Sequence, residues 1–189
     1  MSPIKGLTEQ SRIPRLGKIH LGMKVKSAKG TEYPRASEFF VMPPELVAQF
    51  GEKCIELPII IPVEDDELWC SQYYKRYNFS KGLVCKGDGV ACRRMIDTER
   101  GDMADAQSKG VKWAEGLPCA GRDCEDYKAK KCQEVMCLQF CLPDVPGLGV
   151  WQIDTGSINS IRNINSAARM MRGVYGHIAM LPLTLTLEP

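Results

Sequence analysis

Apolar and polar residues alternate along residues 18–26, which puts Ile19, Leu21, Met23 and Val25 on one side and His20, Lys24 and Lys26 on the other. A period of two marks a half-buried strand. After the turn-rich residues 27–35, a second strand is expected over 38–42, and Pro43-Pro44 then opens a short helix over 45–50 that Gly51 stops. Residues 55–61 read as a strand, with Pro58 pointing to a sheet edge. Four carboxylates, Glu64, Asp65, Asp66 and Glu67, precede Leu68-Trp69, and Lys75-Arg76 follow. Charges in that order complement a helix dipole and predict a second helix running to Tyr77.

Residues 83–96 predict a hairpin that turns at Gly87-Asp88-Gly89. No helix follows this turn, which argues against a phosphate-cradling loop. The polar residues 97–110 read as a flexible connection, and strands over 134–142 and 149–154 are joined by a Pro/Gly-rich link. Ile158, Ile161, Ile164, Ala168 and Met171 recur at helical spacing over 157–172, with Arg162, Arg169 and Arg172 largely outside that stripe. Gly173 and Gly176 end the helix, and 177–188 predicts a long strand in which Leu181, Leu183, Leu185 and Leu187 share a face. Together these elements predict one α+β domain over 1–189: a two-layer mixed sheet with about three helices, of ferredoxin-like or RRM-like kind.

Composition narrows the class. The chain has 189 residues, enough for one good core, and a net charge of +2, which excludes a strongly basic DNA-coating protein but leaves room for a local basic face. No segment approaches the ~20 apolar residues of a membrane span, and the first residues carry no exporting apolar run. A soluble cytoplasmic protein is expected. Nine cysteines, an odd number, then read as reduced thiols and not as a disulfide framework.

Three of those cysteines, Cys119, Cys124 and Cys132, crowd one polar loop rich in turn residues. Thiolates gathered in a loop suit a soft divalent cation, because their proximity lowers the entropic cost of assembling ligands. The spacing Cys-x4-Cys-x7-Cys is less specific than a doubled Cys-x2-Cys, and a fourth ligand must come from elsewhere. Cys85, Cys92 and Cys137 compete for that place. The expected site is structural Zn2+ in a small loop module over 113–133, with a contribution from 82–92.

Other chemistry is thinly supported. Asp154-Thr155-Gly156-Ser157 matches the aspartic-protease tetrapeptide, but such an enzyme needs two aspartates sharing a proton, and this chain has one copy. Thr155 or Ser157 is better read as a cap for the helix that follows. The acidic cluster at 64–67 is explained by the helix dipole without a metal, and neither His20 nor His177 has an evident nucleophile beside it. No catalytic residues are expected.

Several blocks carry a resemblance: Ile4-Lys-Gly-Leu7, Pro14-Arg-Leu-Gly-Lys-Ile19, Tyr33-Pro-Arg35, Gly82-Leu-Val-Cys-Lys-Gly-Asp-Gly89, Pro118-Cys119, Cys124-Glu-Asp-Tyr127 and Gly147-Leu-Gly-Val-Trp-Gln-Ile-Asp-Thr-Gly-Ser157. In that order they resemble the recombination directionality factors of phages with large serine integrases, the actinophage type. The resemblance implies a non-enzymatic phage protein, acting in the cytoplasm of the bacterial host. Such a factor binds the integrase and turns it from joining attP with attB to joining attL with attR, meeting the DNA sites through the integrase complex. It also singles out Cys85, Cys119, Cys124 and Cys132 as the metal ligands, while Cys54, Cys70, Cys92, Cys137 and Cys141 stand outside the pattern.

Partner contacts are expected on exposed aromatics and arginines, the residue types that dominate interfaces. The candidates are Arg12 and Arg15 in the N-terminal arm and Tyr73, Tyr74, Arg76 and Tyr77 on the second helix. The rival reading is a nucleic-acid-binding module, or a subunit of a nucleoprotein assembly, contacting backbone phosphates through Lys18, Lys24, Lys26, Arg93, Arg94, Arg162 and Arg169.

Overall fold

The computed structural model describes residue 4, residues 13–26, residue 30 and residues 32–188. Its strands are β1 (Arg15–Lys18), β2 (His20–Lys26), β3 (Glu32–Val41), β4 (Glu56–Ile60), β5 (Cys70–Asn78), β6 (Gly82–Gly87), β7 (Ala91–Asp97), β8 (Val111–Pro118), β9 (Cys132–Phe140), β10 (Val150–Thr155) and β11 (Pro182–Thr186). The helices are α1 (Pro44–Phe50), α2 (Asp66–Trp69), α3 (Glu125–Lys128) and α4 (Ile158–Tyr175), with a 3-10 turn at Gly121–Asp123. The protein is α+β and mostly β. A seven-stranded mixed sheet runs in the order β1-β10-β9-β5-β6-β7-β8, and β11-β4 and β2-β3 form two-stranded sheets. A run of strands, β5 to β9, joined by turns and short helical segments, departs from the expected ferredoxin-like or RRM-like kind.

By packing, the chain divides into two compact units: residues 1–71, 137–155 and 162–189, and residues 72–136 with 156–161. In the first unit β1 pairs parallel with β10. Val150, Trp151, Gln152 and Ile153 are all buried, as a strand covered on both faces requires. Gly17 lies opposite Trp151, where a Cβ would stand 2.5 Å from the indole ring, so only glycine fits. β11 pairs antiparallel with β4, setting Leu185 opposite the buried Leu57 and Leu183 opposite the buried Ile59. Ile164, Ala168 and Met171 of the α4 stripe face Ile59, Ile61 and Leu183 around an apolar cavity of about 190 Å³.

The second unit is an antiparallel meander of β5, β6, β7 and β8. The expected hairpin at Gly87-Asp88-Gly89 is present, its turn closed by Asp88 Oδ1, which accepts from the Val90 and Ala91 amides at 2.7 and 2.8 Å. Residues 98–110, expected to be a flexible connection, are instead tied to Asp97, which is 3% exposed. Its carboxylate accepts from the amides of Glu99 and Arg100 and from Arg100 Nε. β8 is a strand that alternation did not mark, because six of its eight residues are exposed.

A helix prediction is overturned as well. The second helix does not run to Tyr77: α2 spans four residues, capped by Asp65 Oδ1 on the Glu67 amide, and the chain is extended from Cys70 onward. The acidic start signal was genuine for a single turn, but the aromatic run Tyr73, Tyr74 and Tyr77 favours a strand, and pairing with β6 decides the outcome. The last strand is also shorter than expected, because residues 177–180 form a turn in which Met180 takes a left-handed backbone (φ 62°).

Candidate functional site

Strand register places the key side chains. Across β5 and β6, Tyr74 lies opposite Gly87 and Arg76 opposite Cys85. Across β6 and β7, Cys85 lies opposite Arg94 and Gly87 opposite Cys92. Residues paired in this way project from the same face of a sheet. That face therefore carries Tyr74, Arg76, Cys85, Cys92 and Arg94. The segment after β8 adds Cys119 and Cys124, and β9 opens with Cys132.

Five thiols, Cys85, Cys92, Cys119, Cys124 and Cys132, line one cavity of about 110 Å³. Gly87 forms its floor: a Cβ there would stand 2.7 Å from Cys119 Sγ and 2.8 Å from Cys92 Cβ, so the absent side chain is what lets the sulfur approach the strand. The Cys119 amide bonds the Val90 carbonyl at 2.9 Å, and Gly121 takes a left-handed turn (φ 53°) that returns the chain toward Cys124. All nine cysteines are free thiols. Among the described residues no group of three or more Cys, His, Asp or Glu side chains stands arranged to hold a metal ion. The donors suit a soft cation in kind and converge on one cavity.

Electrostatics shows how closely these thiols sense one another. Burial pushes the Cys132 thiol up to about 11, and the neighbouring Cys85, Cys124 and Cys119 add to it. Cys92 rises to about 11 for the same first reason, reinforced by Cys85. Cys92 Sγ also donates to the Pro118 carbonyl at 3.6 Å. Arg94 reaches the cluster from β7: burial opposes its charge, but Cys85, Cys92 and Cys124 more than restore it. Its Nε is buried with no hydrogen-bond partner. Arg76 is ion-paired with Asp126, and the Tyr74 and Tyr127 rings meet edge to face at 5.7 Å, fastening α3 over the cavity.

The other sequence candidates separate. Cys137 belongs to the first unit and lies outside this cavity. Tyr74 and Arg76 sit on the thiol face; Tyr73 and Lys75 alternate to the opposite one. Tyr77 is 54% exposed near the end of β5. Arg15 donates from Nη1 to Gln152 Oε1 at 2.9 Å in β10, and Arg12 lies outside the described residues. Asp154 of the protease-like tetrapeptide is paired with Lys18 and accepts from Gln152 Nε2, while Ser157 Oγ caps α4 through the Ser160 amide. In the acidic cluster, Glu64 accepts from the Ile178 and Ala179 amides, and Arg172 bridges Glu64 and Asp66. These are structural contacts.

Sequence reasoning weighed Cys92 only as an alternative to Cys85 and Arg94 only as a nucleic-acid contact, and it did not single out Trp113. Alternation within 91–97 was the available signal, since it sets Cys92 and Arg94 on one side and Arg93 and Met95 on the other.

A family model described as Gp3-like, recombination directionality factor-like, matches residues 16–189. No curated protein and no solved structure matches the chain. Among the described residues no helix is long and apolar enough to cross a membrane.

Proposed function

From the premise that this chain belongs to the Gp3-like, recombination directionality factor-like family, whose members are typically non-catalytic accessory proteins with a role in directing site-specific recombination, we propose that it binds a phage large serine integrase. By binding, it turns the enzyme from attP/attB integration to attL/attR excision. The observation that carries this reading is the match over 16–189, nearly the whole chain. No bond need be made or broken by the factor itself. It has only to contact one synaptic arrangement of the DNA-bound integrase better than the other. A coupling of about 1–3 kcal/mol then shifts the balance by roughly 5–150-fold.

Zn2+ held by Cys85, Cys119, Cys124 and Cys132 is the structural part of the same proposal. When bound, the ion supplies folding free energy to a loop too short to bury a core. Convergence of the thiols on one cavity supports it, and the Cys92 bond to Pro118 favours Cys85 as the ligand from the hairpin. Tyr74, Arg76 and Gly87 position the loop, and Arg94 sets a cation beside the thiols.

The test is in vitro recombination by the cognate integrase on attL/attR and attP/attB substrates, with and without the protein. Stimulated excision with suppressed integration is expected. Unchanged recombination on both substrate pairs would sink the proposal.

A further inference from the structure

The second unit carries cations in register on the sheet face opposite the thiols. Lys75 lies directly opposite Lys86, and Lys86 directly opposite Arg93, so three cations cross β5, β6 and β7 in one row. At the roughly 4.8 Å spacing of neighbouring strands, like charges held opposite one another destabilise a sheet. Aromatic rings accompany the row. Lys86 Nζ stands 3.6 Å from the Tyr73 ring centroid, and the Arg93 guanidinium 5.0 Å from Trp113, which is 39% exposed. Among the described residues neither Lys75 nor Arg93 is held in an ion pair. Asp88, which follows β6, is engaged in closing its turn.

We propose that the Lys75–Lys86–Arg93 row, with Tyr73 and Trp113, is the surface that docks an acidic patch of the integrase. The inference rests on the functional reading above and gives it a location. Three observations favour a protein over nucleic acid. Lys86 already covers the Tyr73 ring, which a stacked base would need. Arginine beside a half-exposed tryptophan is the composition of protein interface hot spots. The net charge of +2 provides little general attraction for a polyanion. An acidic partner would relieve the repulsion along the row, so docking and the local cost of the row are the same charges in two states.

The experiment measures affinity for the full-length integrase without DNA, and for a nonspecific duplex, using the wild-type chain, Arg93→Glu, Lys75→Glu, and Arg162→Glu on α4 as an exposed control. Thermal melting confirms that each variant is folded. Integrase affinity is expected to drop at least tenfold for Arg93→Glu, to weaken for Lys75→Glu and to hold for Arg162→Glu. Wild-type binding should weaken with added salt more steeply than that of Arg93→Glu. If the wild type redirects recombination and folded Arg93→Glu binds integrase as tightly, the docking face is wrong and the functional reading stands. Loss of duplex binding alone in Arg93→Glu would replace the protein partner by nucleic acid and overturn this inference. A wild type that neither binds nor redirects integrase overturns both.

Discussion

The loop between β7 and β8 is held by its own charges, whereas the loop between β8 and β9 gathers groups that repel once they ionise. In the first, Arg100 bridges Asp97, Asp102 and Asp105, and Ser108 joins Asp105 to Arg100. Asp97 and Asp105 are both held below the usual aspartate value, Asp97 through Ser108 and the loop amides, Asp105 through Arg100 first. Around the second, Cys92 of β7 and Cys132 at the start of β9 are pushed up to about 11, by burial first and then by neighbouring thiols such as Cys85 and Cys119. Similar lengths of polar chain thus reach order by opposite routes. One is complete with its own side chains; the other gathers thiols that, under the zinc proposal, a cation would hold together.

The largest effect should come from taking that cation away. We predict that the protein purifies with about one equivalent of zinc, and that Cys119→Ser with Cys132→Ser abolishes it and costs more than about 4 kcal/mol in urea unfolding, the range typical of losing a metal. Cys54→Ser, outside the cavity, should keep the metal. A wild type free of metal, or a double variant as stable as the wild type, would remove the contrast between the loops. Gly87→Ala tests the same cavity from its floor. Its Cβ would overlap Cys119 Sγ and Cys92 Cβ, so a loss of about 1–3 kcal/mol is expected, with weaker zinc retention against a chelator.

Arg94 should rank next. Its Nε is buried and without a partner, and its charge lies beside the thiols. Replacement by Ala is expected to cost about 1.5–3 kcal/mol, the scale for hydrogen bonds to charged groups, and Lys to recover part of it. If the arginine acts through the cluster, the cost should shrink in the Cys119→Ser, Cys132→Ser background; an undiminished cost there would make Arg94 an independent packing residue.

What the sequence revealed follows the same division. The Gly87-Asp88-Gly89 turn exposed the β6–β7 hairpin, and the stripe from Ile158 to Met171 exposed α4, because turn chemistry and a half-buried face are written into local sequence. The thiol loop was legible from cysteine spacing. The run from Cys70 to Asn78 was misread because helix-start charges are local, while the choice of strand depends on pairing with β6, a partner that local charges do not encode. That Cys92 and Arg94 share a face with Cys85, and that the cations line up in a row, escaped for a related reason. Their meaning lies in cross-strand register, which appears only once three strands are aligned. Likewise Asp97 looked like the start of a flexible link, because burial of a carboxylate by its own loop is a tertiary fact.

The smallest predicted effect concerns that self-contained loop, and its sign is set by Asp97. A carboxyl held below its unfolded value contributes stability that is complete above the ordinary aspartate pKa of 3.8 and is lost as pH falls toward the lowered folded value. Asp97→Asn should therefore lower the melting temperature at neutral pH and reduce the slope of stability against pH below about 4. Ser108→Ala, which removes the hydroxyl joining Arg100 to Asp105, should cost about 1 kcal/mol and leave zinc content untouched. Thermal melts from pH 3 to pH 7, run alongside metal analysis, decide the matter. If Asp97→Asn also releases zinc, the two loops form one cooperative unit, and the separation between a charge-built and a metal-built segment fails.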